Sequence, residues 1–438
     1  MNQRLQSAAH CAEELSAAER AYHGQVQRDL PRNFGAHLAH GMLGLTGFRL
    51  MHAPTFVPAY VFALSESKMA VGLALGAQFL GMALSSIWGA TLIEHRDRVM
   101  RVVYSVGWLM RLQIFCLAIS AFVLSGQWAL IAACIFLALF GFFGGMQGVV
   151  FNVLMSKVIP VTQRGRLIGL RNFLGGLIAS GVAYLGGEYL VGTNAFGNGY
   201  ASTFMLAFIL TSIGISALSF VREPQALKVR AKPSRFMQRL ADIPAMLRVD
   251  PDYRRFFYAR ALAALGTSAV PFYILYAGKY VSLSGATLGY FSLAFLLSQT
   301  VSNLVWGKIA DTSGYRRVFL LSVGLWCTAT ALLIAGASLP VFLIAFCGLG
   351  AGFGGYQVAS QNFVLEFGKP DELPMLIAVS DTASHLMMAL GPLLGGLIAT
   401  HYDYRHIFWL ALVFKLLAVA MVWRIKEPRQ RQALRRVH

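Results

Sequence analysis

Twelve apolar stretches, each about long enough to cross a bilayer as a helix, constrain this chain more than any other feature. A membrane-spanning helix needs about 20 apolar residues to cross the ~30 Å hydrocarbon core. The stretches run at about 38–63, 68–93, 102–124, 128–158, 167–190 and 202–221, then 256–278, 285–310, 316–336, 338–366, 375–399 and 405–423. In hydrocarbon each backbone N–H and C=O must be satisfied internally, so stretches of this length fold as helices. Hydrophobic residues make up 57% and charged residues 13% of the 438, about half the charge of a soluble domain. The sequence therefore predicts an all-α membrane protein with twelve transmembrane helices, not a string of soluble domains.

The net charge of +18 invites a nucleic-acid reading, but its placement argues against one. Most of the Lys and Arg fall in the tails and in alternate loops on one side, while Lys68, Lys279 and Arg405 fall on the other. This is the positive-inside pattern of an inner or plasma membrane protein, multi-pass, with both termini cytoplasmic. The first 35 residues are too polar for a signal peptide, so the first span directs insertion. Cys116, Cys134, Cys327 and Cys347 lie within spans and Cys11 in the tail; none has metal-ligand spacing, and they read as small buried hydrophobes.

The twelve spans are two copies of six. Phe143-Gly-Gly-Met-Gln147, Asn152 and Pro160 recur at one constant offset as Phe353-Gly-Gly-Tyr-Gln357, Asn362 and Pro370. Trp88-Gly89 and Trp306-Gly307 end the second span of each copy, and Arg222-Glu-Pro224 and Lys426-Glu-Pro428 end the sixth. The expected organisation is a cytoplasmic tail (1–35), a six-helix bundle (36–221), a cytoplasmic linker (222–255), a second six-helix bundle (256–423) and a basic tail (424–438). Residues 12–28 suggest a helix lying on the cytoplasmic side. In the linker, Phe236, Leu240, Ile243, Met246 and Leu247 recur at helical spacing among basic residues, as in an amphipathic interfacial helix. Pro54 and Pro58 predict a kink in the first span. An internal repeat of six spans is the plan expected when a site lies between two rocking halves.

Between the eighth and ninth spans runs Trp306-Gly307-Lys-Ile-Ala-Asp311-Thr-Ser-Gly314-Tyr-Arg316-Arg317. Gly307 is expected to let helices approach closely, and Gly314 to supply a backbone conformation that bulkier residues resist. This stretch resembles the loop motif between the second and third helices of each half in the major facilitator superfamily. The first half departs from it, with Ile93 then Glu94 where Asp is expected, Arg96 in place of the second Gly, and Arg98 and Arg101 as the basic residues. The resemblance covers about residues 36–425 and implies two pseudo-symmetric six-helix bundles working by alternating access. It gives gating roles to Gly307, Asp311, Gly314, Arg316 and Arg317, with Glu94 as the weaker counterpart, and implies that Asp311 latches onto the start of helix 11. Gly391-Pro-Leu-Leu-Gly395-Gly396 on span 11 is similar to a motif that drug/proton antiporters carry on helix 5, where this chain has Val182-Ala-Tyr-Leu-Gly186-Gly187.

Polar groups at membrane depth point to a site, because an ionised side chain at the centre of an isolated helix costs at least ~2.5 kcal/mol. Arg49 lies near the middle of span 1, Arg171 and Asn172 early in span 5, and Arg260 early in span 7. Gln147, Asn152, Gln357, Gln361 and Asn362 lie on spans 4 and 10, all on helices that line or flank the cavity in the resembled superfamily. Substrate binding is assigned to Arg49, Gln147, Asn152, Arg171, Asn172, Arg260, Gln357 and Asn362, with bonding between helices an equal alternative for the paired Gln and Asn residues. For Arg171 and Arg260, snorkelling to the cytoplasmic interface is an equal alternative; Arg111 and Lys415 read as peripheral, structural or snorkelling cations. His37 and His40 are expected to face an aqueous inner mouth. Asp381 and His385 share a helix face and could exchange a coupling proton, or simply form a polar pair. Asp381 is the acid available to face Arg49 across the cavity.

The Gly-rich run Gly348–Gly355 lacks a following Lys-Ser/Thr and lies within a span, so it reads as close helix packing, like Gly141, Gly144, Gly145 and Gly148, and Gly175, Gly176 and Ser180. No hydrolase, kinase or zinc-protease spacing occurs. The reading is a monomeric proton-coupled secondary transporter for a small organic solute, anionic or amphipathic, with no catalytic residue, cofactor, metal or nucleic-acid partner. A multidrug proton antiporter and a non-transporting membrane sensor or scaffold stay open as alternatives. A membrane-embedded enzyme would need clustered acids or histidines at an interface, and none is present.

Overall fold

A computed structural model of the chain describes residues 2–93, 96–225, 247–248, 250–367 and 373–426. Glu94, most of the predicted linker helix, Pro370 and the basic tail from 427 onward lie outside the described residues. The helices are α1 (Asn2–His52), α2 (Phe56–Ser65), α3 (Lys68–Thr91), α4 (Met100–Val123), α5 (Gly126–Val158), α6 (Val161–Leu185) and α7 (Gly199–Ser216) in the first half. The second half contains α8 (Pro251–Leu265), α9 (Val270–Ala277), α10 (Gly285–Ser313), α11 (Tyr315–Ala335), α12 (Leu339–Asn362), α13 (Leu373–His401) and α14 (Tyr404–Trp423).

Among the described residues, ten helical segments have the length and apolarity to cross a membrane. The other two predicted spans, the first of each half, are broken. Span 1 breaks at residues 53–55 between α1 and α2, where Pro54 removes a donor and crowds the preceding turn. Pro58 lies within the first turn of α2, where it leaves no helical bond unmade. Span 7 breaks at Gly266–Ala269, a 3₁₀ turn, before α9 opens with Pro271 in its first turn. That second break carries no proline at the break itself and is not signalled in the sequence.

The expected separate helix at 12–28 is instead part of α1. The extension is pinned where it leaves the bundle. Tyr22 OH donates to Lys157 O (3.1 Å), Asn33 Nδ2 donates to Arg222 O (3.1 Å), and Arg222 N donates back to Asn33 Oδ1 (2.8 Å).

The two halves repeat in packing as well as in sequence. In the first, α3 and α4 pack on α5, α1 on α6 and α7, and α4 on α7. In the second, α10 and α11 pack on α12, α8 on α13 and α14, and α11 on α14. Small residues make these approaches possible: a Cβ on Gly141 would strike Gln78 of α3, and one on Gly350 would strike Phe295 of α10. Gly148 has open space beside it instead, as does Gly307. The close approach expected at Gly307 is thus absent; Gly89, its first-half counterpart, would bring a Cβ to 2.9 Å from Met146 Cα. Gly314 meets its expectation, with φ +83° in the turn joining α10 to α11.

The halves meet along two seams, α3 with α13 and α6 with α10. A Cβ on Gly72 would lie 3.0 Å from Gly396 Cα, and one on Gly187 would lie 2.5 Å from Gly289 N. The two glycine runs compared with the antiporter motif both end in these seams. Thr55 Oγ1 and Ser292 Oγ share a hydrogen bond (2.7 Å), and Lys68 Nζ donates to Ala399 O (2.8 Å), both toward the end opposite the chain termini. Toward the basic end, which carries the termini, Asn152, Gln357 and Gln361 are exposed.

Candidate functional site

A partly open cavity of about 290 Å³ lies between α1, α3, α4, α5 and α6 of the first half. Phe48, Phe140 and Phe151 form much of its wall, and His40, Gln147 and Arg171 bring polar groups into it. Arg171 is 7% exposed, its guanidinium 4.7 Å from the Phe151 ring, with Nη2 3.4 Å from His40 Nδ1. It does not snorkel, because ten residues of α6 precede it and α1 covers it at Gly41, where a Cβ would collide with the Arg171 side chain.

His37 and His40 are buried rather than facing an aqueous mouth. His40 stacks on Phe151 at 5.0 Å and His37 meets its edge at 5.3 Å. Arg111 is also fully buried: Nε donates to Thr211 O (2.7 Å) and Nη1 to Gly107 O (2.7 Å), and the guanidinium lies 5.3 Å from the Phe48 ring. The snorkelling expectation fails for it, since backbone carbonyls of α4 and α7 hold it in the interior. Both amide atoms of Gln147, Arg171 Nε, Arg111 Nη2 and His40 Nε2 are buried without a hydrogen-bond partner among the described residues.

Arg49 sits at the seam between halves. Nη1 donates to Thr300 Oγ1 of α10 (2.9 Å) and Nη2 to Asn172 O of α6 (3.2 Å). Gly176 makes room for this, because a Cβ there would meet both Arg49 and Thr300. The partner anticipated for Arg49, Asp381, is taken by another cation. Arg260 Nη2 donates to Asp381 Oδ1 at 2.5 Å. The two helices that carry them, α8 and α13, are neighbours within one half, whereas Arg49 belongs to the other. The Asp381 side chain is 42% exposed and Arg260 7%. Arg260 therefore does not snorkel either. His385 lies one turn beyond Asp381, its Nδ1 buried without a hydrogen-bond partner among the described residues.

The polar residues of spans 4 and 10 divide. Gln147 lines the cavity, while Asn152 is exposed nearer the basic end. Gln357 accepts from Gln299 Nε2 (3.1 Å), and Asn362 donates to Val358 O of its own helix (2.8 Å). Lys415 is wholly buried, its Nζ 3.9 Å from the Trp326 ring and without a hydrogen-bond partner among the described residues. It too reaches no interface. Among the described residues no cluster of His, Cys, Asp or Glu is arranged to hold a metal ion.

At the loop between α10 and α11, Arg316 Nη2 donates to Trp423 O (2.7 Å) at the end of α14, and Arg317 Nη1 donates to Ser313 Oγ (3.0 Å). Asp311 is exposed. The first half has a different acid at the equivalent place. Glu223, 3% exposed, accepts from Val99 N (2.8 Å), Met100 N (2.9 Å) and Lys157 Nζ (3.2 Å) at the start of α4. A carboxylate at a helix N-terminus meets unpaired N–H groups and the positive end of the helix dipole. Glu223 belongs to the Arg222-Glu-Pro224 triplet; its counterpart in the repeat, Glu427, lies outside the described residues.

A model of the Major Facilitator Superfamily matches residues 256–437. The chain is similar to vacuolar basic amino acid transporter 5 of Saccharomyces cerevisiae, 25% identical over 30% of this chain and 23% of that protein. It is also similar to multidrug resistance protein D of Escherichia coli, 30% identical over 27% of this chain and 30% of that one. Solute carrier family 22 member 18 of Rattus norvegicus is 28% identical over 34% of this chain and 37% of its own length. The matched stretches thus span well under half of each of these relatives. Among solved structures, a point mutant of the nucleoside transporter NupG superposes with a TM-score of 0.70 over 89% of this chain and 100% of that one, at 13% identity. That likeness is one of fold.

Proposed function

We propose that this chain, which belongs to the Major Facilitator Superfamily by the match of its second half, is a twelve-span secondary active transporter. Its two bundles, residues 36–221 and 256–423, rock about a site between them, with both termini and the 222–255 linker cytoplasmic. The observation that carries this reading is the arrangement of the halves. They are joined by glycine-to-glycine contacts and hydrogen bonds toward one end, while the polar side chains of Asn152, Gln357 and Gln361 are exposed toward the other. A carrier must pass through such a state, and rigid bundles with narrow small-residue seams can exchange it for the opposite one.

The solute is a small organic anion, and the driving ion is the proton. Arg49 and Arg171 have no carboxylate partner among the described residues, and the residues lining the cavity include no acid. A buried guanidinium stays charged and needs an anion or water. Asp381 is the coupling carboxylate. An anion reaching Arg260 competes with Asp381 for it, and a carboxylate released from its cation takes up a proton more readily. Gln147, Asn172 and Gln357 orient the solute along the path. Asp311 at the end of α10, Gly314 in the turn, and Arg316 and Arg317 at the start of α11 gate the basic end, with Gly307 further back on α10.

The test is counterflow in proteoliposomes against a panel of organic anions and cations, with and without a pH gradient. Exchange of an anion, accelerated by an imposed pH gradient, is the expected result. Exchange of cations alone would return the multidrug reading, and no exchange of any solute would leave a sensor or scaffold.

A further inference from the structure

The first-half cavity is more specific than a general cationic surface. Its volume of about 290 Å³ is at the lower end of the ~300–1,000 Å³ of small-molecule sites, so its occupant is compact. Three aromatic rings, Phe48, Phe140 and Phe151, and two methionines, Met82 and Met110, make a wall that favours an apolar, flat body. One guanidinium, Arg171, faces that space, and its Nε is buried without a partner among the described residues. Gln147, 7% exposed, presents an amide with neither its donor nor its acceptor satisfied.

Buried polar groups left open in this way are costly unless something fills them. The unmatched set at Arg171 and Gln147 consists of donors plus one acceptor. A single carboxylate beside Arg171 answers the charge, and one further polar atom on the body answers Gln147. A second full charge would have to sit against the aromatic wall, where the space is lined by the His40 and His52 rings and by no further cationic side chain. We infer that this cavity is a binding site for a compact monocarboxylate with an aromatic body, its carboxylate on Arg171 and its ring between Phe48, Phe140 and Phe151. This deepens the anion-transport reading above, but its geometry lies wholly within one half of the molecule.

The purified full-length protein in detergent should bind 1-naphthoate, and binding can be followed by calorimetry and by thermal stabilisation. Its neutral amide, 1-naphthamide, should bind at least about tenfold more weakly, since it forgoes the charge-assisted contact. Gln147→Leu should leave naphthoate binding nearly unchanged, because its ring carries no polar atom for Gln147, and should keep the preference for acid over amide. Arg171→Gln should abolish that preference. Should Arg171→Gln not fold, the acid-to-amide ratio on the unaltered protein still decides the matter.

Equal affinity for acid and amide, or no binding of either, would overturn the assignment. Tighter binding of oleate than of naphthoate would also overturn it, marking a lipid-chain site instead. The outcome is separable from transport itself. Naphthoate binding without counterflow keeps this site and removes the carrier reading; counterflow of other anions without naphthoate binding does the reverse.

Discussion

The two halves share one packing plan but differ in where a buried cation meets an acid: Lys415 of the second half has an aromatic face and no acid among the described residues, as the first-half cations do, and Arg260 is the exception. In the first, Arg111 and Arg171 lie deep with histidines, aromatic faces and backbone carbonyls as neighbours. In the second, Arg260 meets the carboxylate of Asp381. On the proposed reading, the difference separates two jobs that a coupled carrier must perform. A cation without a fixed acid is available to a solute anion, whereas a cation already holding a carboxylate can change that carboxylate's hold on a proton. Duplication supplies the frame, and divergence at a few interior positions supplies the division of labour.

The largest effect that would sharpen this comparison is at Asp381. Asp381→Asn should preserve counterflow and abolish uphill, gradient-driven accumulation. Continued accumulation against a gradient would remove the second half from the coupling role. Arg171→Gln in the first half should do the converse, reducing exchange at every pH.

Next come the seams. Gly187→Val and Gly72→Val each place carbon where the other half's backbone already lies, so the state closed at this end should lose most of its population. Cysteine cross-linking across the seam, at Thr55 and Ser292, should fall several-fold relative to the parent. Unchanged cross-linking would mean that these glycines are ordinary packing positions.

A smaller difference separates the two basic-end acids. Glu223→Gln loses charge-assisted bonds at the start of α4, each worth ~1.5–3 kcal/mol when charged, and should lower the thermal midpoint. Asp311→Asn should shift how often cross-links form at the basic end. If the two substitutions behave alike, the halves latch by the same device after all.

Lys415 offers a fourth test. Its buried ammonium has an aromatic face but no hydrogen bond among the described residues, so Lys415→Met should be neutral or stabilising, by ~1–4 kcal/mol if it follows replaced buried ion pairs. Arg111→Met, which abandons two backbone carbonyls, should destabilise. The smallest effect is at the rim. Burial pushes the Asp403 carboxyl up, but Lys279 and Arg405 outweigh it and hold its pKa below the ordinary aspartate value. Stability from this pair is therefore present above the unfolded pKa and lost as pH falls through the folded one. An exposed pair of this kind is worth ~0–1 kcal/mol, so Asp403→Asn should matter little at neutral pH and not at all in strong acid.

Helix positions are legible because apolar runs and turn residues are local signals: the ends of α3, α5 and α14 fall within two residues of the apolar stretches that predict them. The depth of Arg49, Arg171, Arg260 and Asp381 can be read in the same way. Their partners cannot. Whether Asp381 meets Arg49 or Arg260 depends on which helices adjoin, and hydropathy does not encode adjacency. The cavity is hidden for a related reason. Phe48, Phe140 and Phe151 are indistinguishable in sequence from lipid-facing aromatics, and only the placing of α5 beside α1 brings them together. His40 stands out in the sequence, but its burial follows from a stacking partner on another helix.

The length of α1 has a mechanical consequence. The helix is continuous from residue 2 to 52, and at ~1.5 Å per residue much of it stands beyond the bilayer. Tyr22 and Asn33 fasten that projecting part to the ends of α5 and of the sixth span. A rod clamped to one bundle acts as a pointer: any rotation of that bundle is magnified at its tip. A fluorophore at the tip, paired with another on the second bundle, would read the cycle of this protein from outside the membrane without touching the path of the solute.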